Sequence, residues 1–144
     1  MHILVTGGTG FLGGRLIAQL ARDGHQVFAL TRSSASHAKL RALGASPVDA
    51  DLESTAPLSL PAVDAVVHAA ALFRFSGPRE PFFHTNVDGT ARLLVSAENA
   101  GARIFVHISA AGIITYVFSV NSEVENSFSC SSSCSCSRLP ISRH

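Results

Sequence analysis

The sequence predicts an α/β protein, a doubly wound parallel sheet truncated after its fifth strand and followed by a disordered or irregular C-terminal tail. Three observations lead there. Short apolar runs alternate with longer amphipathic ones from Met1 to about Ile113, the pattern of β-α-β units. A glycine-rich turn joins the first apolar run to the first amphipathic one. The alternation then stops, and the chain passes into a tract of little but Ser and Cys. The expected units are therefore 1–113 for the sheet with its helices, and 114–144 for a low-complexity tail outside the fold.

The predicted strands are "HILVT" (2–6), "QVFAL" (26–30), "SPVDA" (46–50), "AVVHAA" (65–70) and "RIFVHI" (103–108). Most are short, apolar and β-branched or aromatic, as strands covered on both faces must be. Two segments, "FLGGRLIAQLARDG" (11–24) and "PFFHTNVDGTARLLVSAENAG" (81–101), carry apolar residues three and four apart and end on Gly, which predicts capped helices. "SHAKLRALG" (36–44) is a shorter helix of the same kind. "ESTAPLSLPAVD" (53–64) is a loop, broken by Pro57 and Pro61.

At 144 residues the chain suits one domain with its own core. A net charge of +1, with the charges scattered, offers no basic stripe for nucleic acid and no polybasic flank for a membrane surface. No apolar run approaches the roughly 18–20 residues that cross a bilayer, and no charged leader precedes the first strand. The expectation is a soluble, cytoplasmic protein. All three cysteines, Cys130, Cys134 and Cys136, fall in the tail. They lack a fourth nearby ligand and the C-x2-C spacing of structural zinc sites, so no metal site is expected.

The chemistry is carried by "VTGGTGFLG", with Gly7, Gly10 and Gly13 between strand and helix. A strand must turn sharply into a helix while a pyrophosphate lies against the turn. Gly7 permits the bend, Gly10 removes a side chain that would block the phosphate, and Gly13 lets the helix pack close on the strand. The open N–H groups of the helix then face the anion, aided by the helix dipole, a contribution of about 0.3–1 kcal/mol.

These residues resemble a known family. Thr6-Gly7-x-x-Gly10-Phe11-Leu12-Gly13 is similar to the fingerprint of extended short-chain dehydrogenases/reductases, the NAD(P)-dependent sugar epimerases, dehydratases and reductases with a Rossmann-like sheet. Asp51-Leu52 resembles the family's Asp-[LV] after the third strand, whose carboxylate meets the adenine amino group. "VVHAAA" resembles the H-x-A-A segment, whose backbone at Ala69 and Ala70 would run along the ribose and nicotinamide. "NVDGTARLL", from Asn86, and "RIFVHISAAG" resemble the following helix and the strand that leads to the catalytic serine. The coenzyme-binding residues expected from these motifs, together with Arg32 at the end of the second strand, are Gly7, Thr9, Gly10, Phe11, Leu12, Gly13, Arg32, Asp51, Leu52, Ala69 and Ala70.

Coenzyme choice turns on the end of the second strand, where NAD-binding relatives place Asp or Glu against the ribose 2′-hydroxyl. Here the run is "ALTRSS". Arg32, with Ser33 and Ser34, suits a 2′-phosphate, so NADP is favoured over NAD. The alternative is a solvated arginine at a strand end.

The resemblance fails where the reaction would be carried out. The family uses Tyr-x-x-x-Lys, the lysine lowering the tyrosine pKa so that it exchanges a proton as hydride moves. This sequence has one lysine, Lys39, far upstream, and one tyrosine, Tyr116, followed four places on by Val120. The serine position of the fifth strand reads Ser109-Ala110-Ala111, with Ala110 where the catalytic hydroxyl is expected and Ser109 as a surviving hydroxyl or a local hydrogen-bonding residue. His68 and His107, at strand ends, read as hydrogen-bonded sheet residues and not as a metal pair. The first reading is the NAD(P)-binding portion of an epimerase, dehydratase or reductase acting on a hydroxyl-bearing carbon such as that of a nucleotide sugar, its catalytic half missing. The alternative is a non-catalytic NADP-sensing protein. On the first reading the coding sequence leaves the family's frame just after "HISAAGI", another frame downstream encodes the Tyr-x-x-x-Lys helix, and "RIFVHI" is left as an apolar edge strand open to self-association.

Overall fold

A computed structural model describes residues 1–73 and 77–109, and the backbone of 115–119. Five parallel strands form the body of the sheet: β1 His2–Thr6, β2 Gln26–Thr31, β3 Ala45–Asp49, β4 Ala65–His68 and β5 Ile104–Ile108. The order is β3-β2-β1-β4-β5, so the chain runs outward from β1 in one direction and returns past it to build the other side. This is the doubly wound, Rossmann-like arrangement, with its switch point between β1 and β4. Among the described residues, no helix is long and apolar enough to cross a membrane.

Alternation along β1 explains the two layers. Ile3 and Val5 pack with Val27, Ala29, Ile17 and Leu40, beneath helices α1 (Phe11–Arg22) and α2 (His37–Ala42). Leu4, between them, packs on the opposite face with Leu30, Val66, Phe105 and Leu93, the last from helix α4 (Gly89–Asn99). Neighbouring side chains on a strand point to opposite faces, so a strand apolar at every position must be covered twice. Leu58 and Val63 of the predicted loop are buried in the second layer, so that irregular segment also closes the core.

Both main helices stop as their glycines predict. After α1, Gly24 N–H donates to the Ala21 carbonyl and His25 N–H to that of Leu20; after α4, Gly101 and Ala102 make the equivalent bonds to Glu98 and Ala97. The predicted helix over 81–101 is a run of three pieces. Helix α3 (Arg79–Phe83) leads into a π-helical turn, His84–Asp88, and then α4. The wider turn coincides with Asn86, whose side chain bonds the backbone of Leu72 in both directions.

The sequence reading leaves β5 at the edge of the sheet. Instead, the backbone of Thr115–Ser119 forms a sixth strand, β6, antiparallel to β5, with His107 opposite Tyr116. β5 is thus flanked on both sides, its outward N–H and C=O groups paired by a segment, "TYVFS", of β-branched and aromatic composition. Ala110, Ala111 and the Ser/Cys tract with Cys130, Cys134 and Cys136 lie outside the described residues.

Candidate functional site

The glycine turn sits where the C-terminal ends of β1 and β4 diverge. Gly7 has φ +70°, and a Cβ there would stand 2.7 Å from the Ala69 carbonyl oxygen; one on Gly13 would stand 2.2 Å from that of Gly7. Only glycine lets turn, helix and β4 close on one another at these two points. Gly10 N–H donates to the Gly7 carbonyl at 3.0 Å and Gly10 caps α1, with no side chain bonded to the helix end and no acidic residue in its first turn. The first amides of a twelve-residue helix are left open to an anion.

From this turn a cleft of about 350 Å³ runs across the ends of β1, β2, β3 and β4. It brings together eight of the predicted residues: Gly7, Thr9, Gly10, Arg32, Asp51, Leu52, Ala69 and Ala70. Three do not line it. Gly13 is buried against Gly7, Leu12 is half exposed, and Phe11 is 78% exposed with the Arg15 guanidinium 4.4 Å from its ring centroid. The cleft also recruits Glu53, Leu72 and Thr85, none of them among the predicted residues. Glu53 Oε1 lies 3.2 Å from Arg32 Nη1, so a carboxylate missing from the end of β2 reaches this place from the loop after β3. Lys39 does not line the cleft but bonds its turn, its Nζ donating to the Thr9 carbonyl at 2.9 Å.

A second cleft, of about 370 Å³, continues from the first through Ala70, Ala71 and Leu72 to Phe73, Phe82, Asn86, Thr90, His107 and Ser109. The wall between the clefts is held by a directed chain of hydrogen bonds. Thr90 Oγ1 donates to the Asn86 carbonyl at 2.7 Å, so its contact with His68 Nε2 at 2.9 Å has the imidazole as donor. His68 Nδ1 is then an acceptor, and takes its bond from Thr6 Oγ1 at 2.7 Å. Thr6 Oγ1 in turn accepts from Ala70 N–H at 3.1 Å. Burial, and secondarily His107, lower the His68 pKa to about 4, which keeps this tautomer neutral. His107, whose ring centroid is 5.1 Å from that of His68, is also lowered by burial. Ser109 lines the second cleft, while Ala110 is outside the described residues. Among those residues, no group of three His, Cys, Asp or Glu is placed to hold a metal.

The profile of the NAD dependent epimerase/dehydratase family matches residues 3–139. The chain belongs to that family. Relatives of the chain include a 4-hydroxy-2-methyl-3-oxo-4-farnesyl-3,4-dihydroquinoline-1-oxide ketoreductase of Stigmatella aurantiaca, 36% identical over 116 residues that cover 79% of this chain and 35% of that protein. A decarboxylating sterol-4-alpha-carboxylate 3-dehydrogenase of Dictyostelium discoideum is 30% identical over 131 residues, 87% of this chain and 40% of its own. The fold matches that of a short-chain dehydrogenase/reductase superfamily protein from Agrobacterium tumefaciens with bound NAD, at TM-score 0.59 and 32% identity, over 74% of this chain and 32% of that one. The chain thus spans 35–40% of the length of these two curated relatives.

Proposed function

We propose that the chain is the nicotinamide-dinucleotide-binding portion of an epimerase, dehydratase or reductase that acts at a hydroxyl-bearing carbon. The observation that carries this reading is the open amide end of α1 at the head of a cleft that passes Arg32, Asp51 and Ala70. The site fits such a group: Gly7 and Gly10 line it without side chains, Asp51 offers a carboxylate at the adenine end, and Ala69 and Ala70 present backbone along its length. When bound, a nicotinamide coenzyme supplies hydride transfer. The chain's residues bind and orient it, through backbone amides at the pyrophosphate and through the wall that Thr6, His68 and Thr90 hold in place.

NADP is preferred over NAD on this reading, since Arg32 opens into the cleft with its side chain 66% exposed. The activities of the two curated relatives, on a quinoline ketone and a sterol, favour a ring alcohol or ketone over a nucleotide sugar as the substrate. The chain's one lysine, Lys39, bonds the glycine turn, so the Tyr-x-x-x-Lys pair is absent from this sequence and binding without appreciable turnover is the expected behaviour. Fluorescence titration of the purified chain with NADPH and NADH tests the reading: saturable binding supports it, and a folded chain that takes up neither coenzyme overturns it.

A further inference from the structure

We infer that Glu53 is a specificity-determining residue at the coenzyme's 2′ position, its carboxylate competing with a 2′-phosphate for the Arg32 guanidinium and leaving a 2′-hydroxyl undisturbed. The inference deepens the proposed function and rests on it. Where a carboxylate on β2 would bond a ribose hydroxyl, this chain has Arg32 on β2's end and Glu53 on the loop opposite, Oε1 to Nη1 3.2 Å, both lining the cleft.

Glu53 is not a free surface residue that happens to fall near an arginine. Its N–H donates to Asp51 Oδ1 at 3.0 Å, its carbonyl accepts from His84 Nε2 at 2.8 Å, and its Oε1 also accepts from Thr85 Oγ1 at 3.3 Å. The preceding residue is clamped as well: the Leu52 carbonyl accepts from Arg92 Nη2, and a Cβ on Gly89 would stand 2.9 Å from that oxygen. The helical run that follows the second cleft therefore fixes where the carboxylate stands. Its side chain is 41% exposed and that of Arg32 66%, so solvent screens the pair and it adds little to the stability of the fold. Its effect falls on a ligand. A dianionic phosphate brought to Arg32 meets a carboxylate already on the same nitrogen, and must displace it or bear the repulsion; a neutral hydroxyl meets neither cost. Glu53 thereby moderates the NADP preference that Arg32 alone would confer.

Titrations of the full chain with NADPH and NADH, for the wild type, Glu53→Gln, Arg32→Gln and the double variant, test this. Gln is close to isosteric, keeps an oxygen for Thr85 and removes the charge. Glu53→Gln is expected to tighten NADPH binding about three- to tenfold and to leave NADH within about twofold, with the gain shrinking as salt is raised. In the Arg32→Gln background the same substitution loses most of this effect, because the shared guanidinium is gone. An unchanged ratio of the two dissociation constants, or an equal shift in both, overturns the role of Glu53 while leaving the coenzyme site standing. A wild-type chain that binds neither coenzyme overturns both.

Discussion

Nδ1 of His68 lies 2.7 Å from Oγ1 of Thr6, and both side chains are buried, at 1% and 0% exposure. The bond joins the end of β4 to the end of β1, and Thr6 passes it on to the Ala70 amide beside the first cleft. A neutral His68 completes the chain, while a protonated one would point a proton at the hydroxyl that now donates to it.

The stability of the fold should therefore depend on pH through His68. Its pKa is about 4 in the fold against 6.5 for an ordinary histidine. Above 6.5 the ring is neutral in both states and contributes no pH dependence. As pH falls from 6.5 to 4 the unfolded chain binds a proton that the folded one resists, and stability falls by about 3 kcal/mol across that window, at about 1.4 kcal/mol per pH unit. His107 acts in the same direction. Urea unfolding at stepped pH should show the difference in stability between wild type and His68→Gln changing between pH 6.5 and 4, and a constant difference would count against this role.

Thr90→Val should cost about 1–3 kcal/mol, because valine fills the same volume but leaves the His68 Nε2 proton without its acceptor and the Asn86 carbonyl without its donor. Thr90→Ser should keep within about 1 kcal/mol of wild type. Midpoints of chemical denaturation decide, and equal losses in the two variants would point to methyl packing instead.

Alanine in place of an internal helix glycine ordinarily gains about 1 kcal/mol. Gly13→Ala should do the opposite, since its methyl would enter the Gly7 carbonyl at 2.2 Å, a backbone contact that cannot swing aside. A loss of about 1–3 kcal/mol is expected, together with weakened coenzyme binding as the turn moves. Thermal melts and an NADPH titration of the variant measure both.

Lys39→Met should weaken NADPH and NADH alike, by about two- to fivefold, and lessen the salt dependence of binding. Lys39 Nζ bonds the Thr9 carbonyl, so it steadies the turn to which the proposed function assigns the pyrophosphate common to both coenzymes. A selective loss of NADPH alone would assign the lysine to the 2′-phosphate.

Much of the fold was legible because the signals are local. Apolar alternation around Leu4 and the glycines after both main helices depend on nearest neighbours in the chain, and strands and caps formed where these residues stand. The eight cleft residues followed from several short motifs, each read in its own setting: the glycine turn after β1 and the residues at the ends of β2, β3 and β4. Phe11 and Leu12, from the same motif as the glycines, stand at the start of α1 with exposed side chains, because a motif does not say which way a side chain turns. A five-residue segment such as Thr115–Ser119 is too short for its pattern to mark a strand by itself, and it pairs where β5 offers an edge.

The amino-acid order alone settled that a parallel sheet opens into a glycine turn, since periodicity and turn chemistry are properties of adjacent residues. Tertiary packing alone decided that Glu53 meets Arg32 across 21 residues, that Lys39 reaches Thr9 across 30, and that Thr6 and Thr90 choose the tautomer of His68 from either side. A sequence pattern tells which face of a strand is buried; which group stands opposite depends on how separate elements close on one another, and the charge beside Arg32 in the cleft is set there.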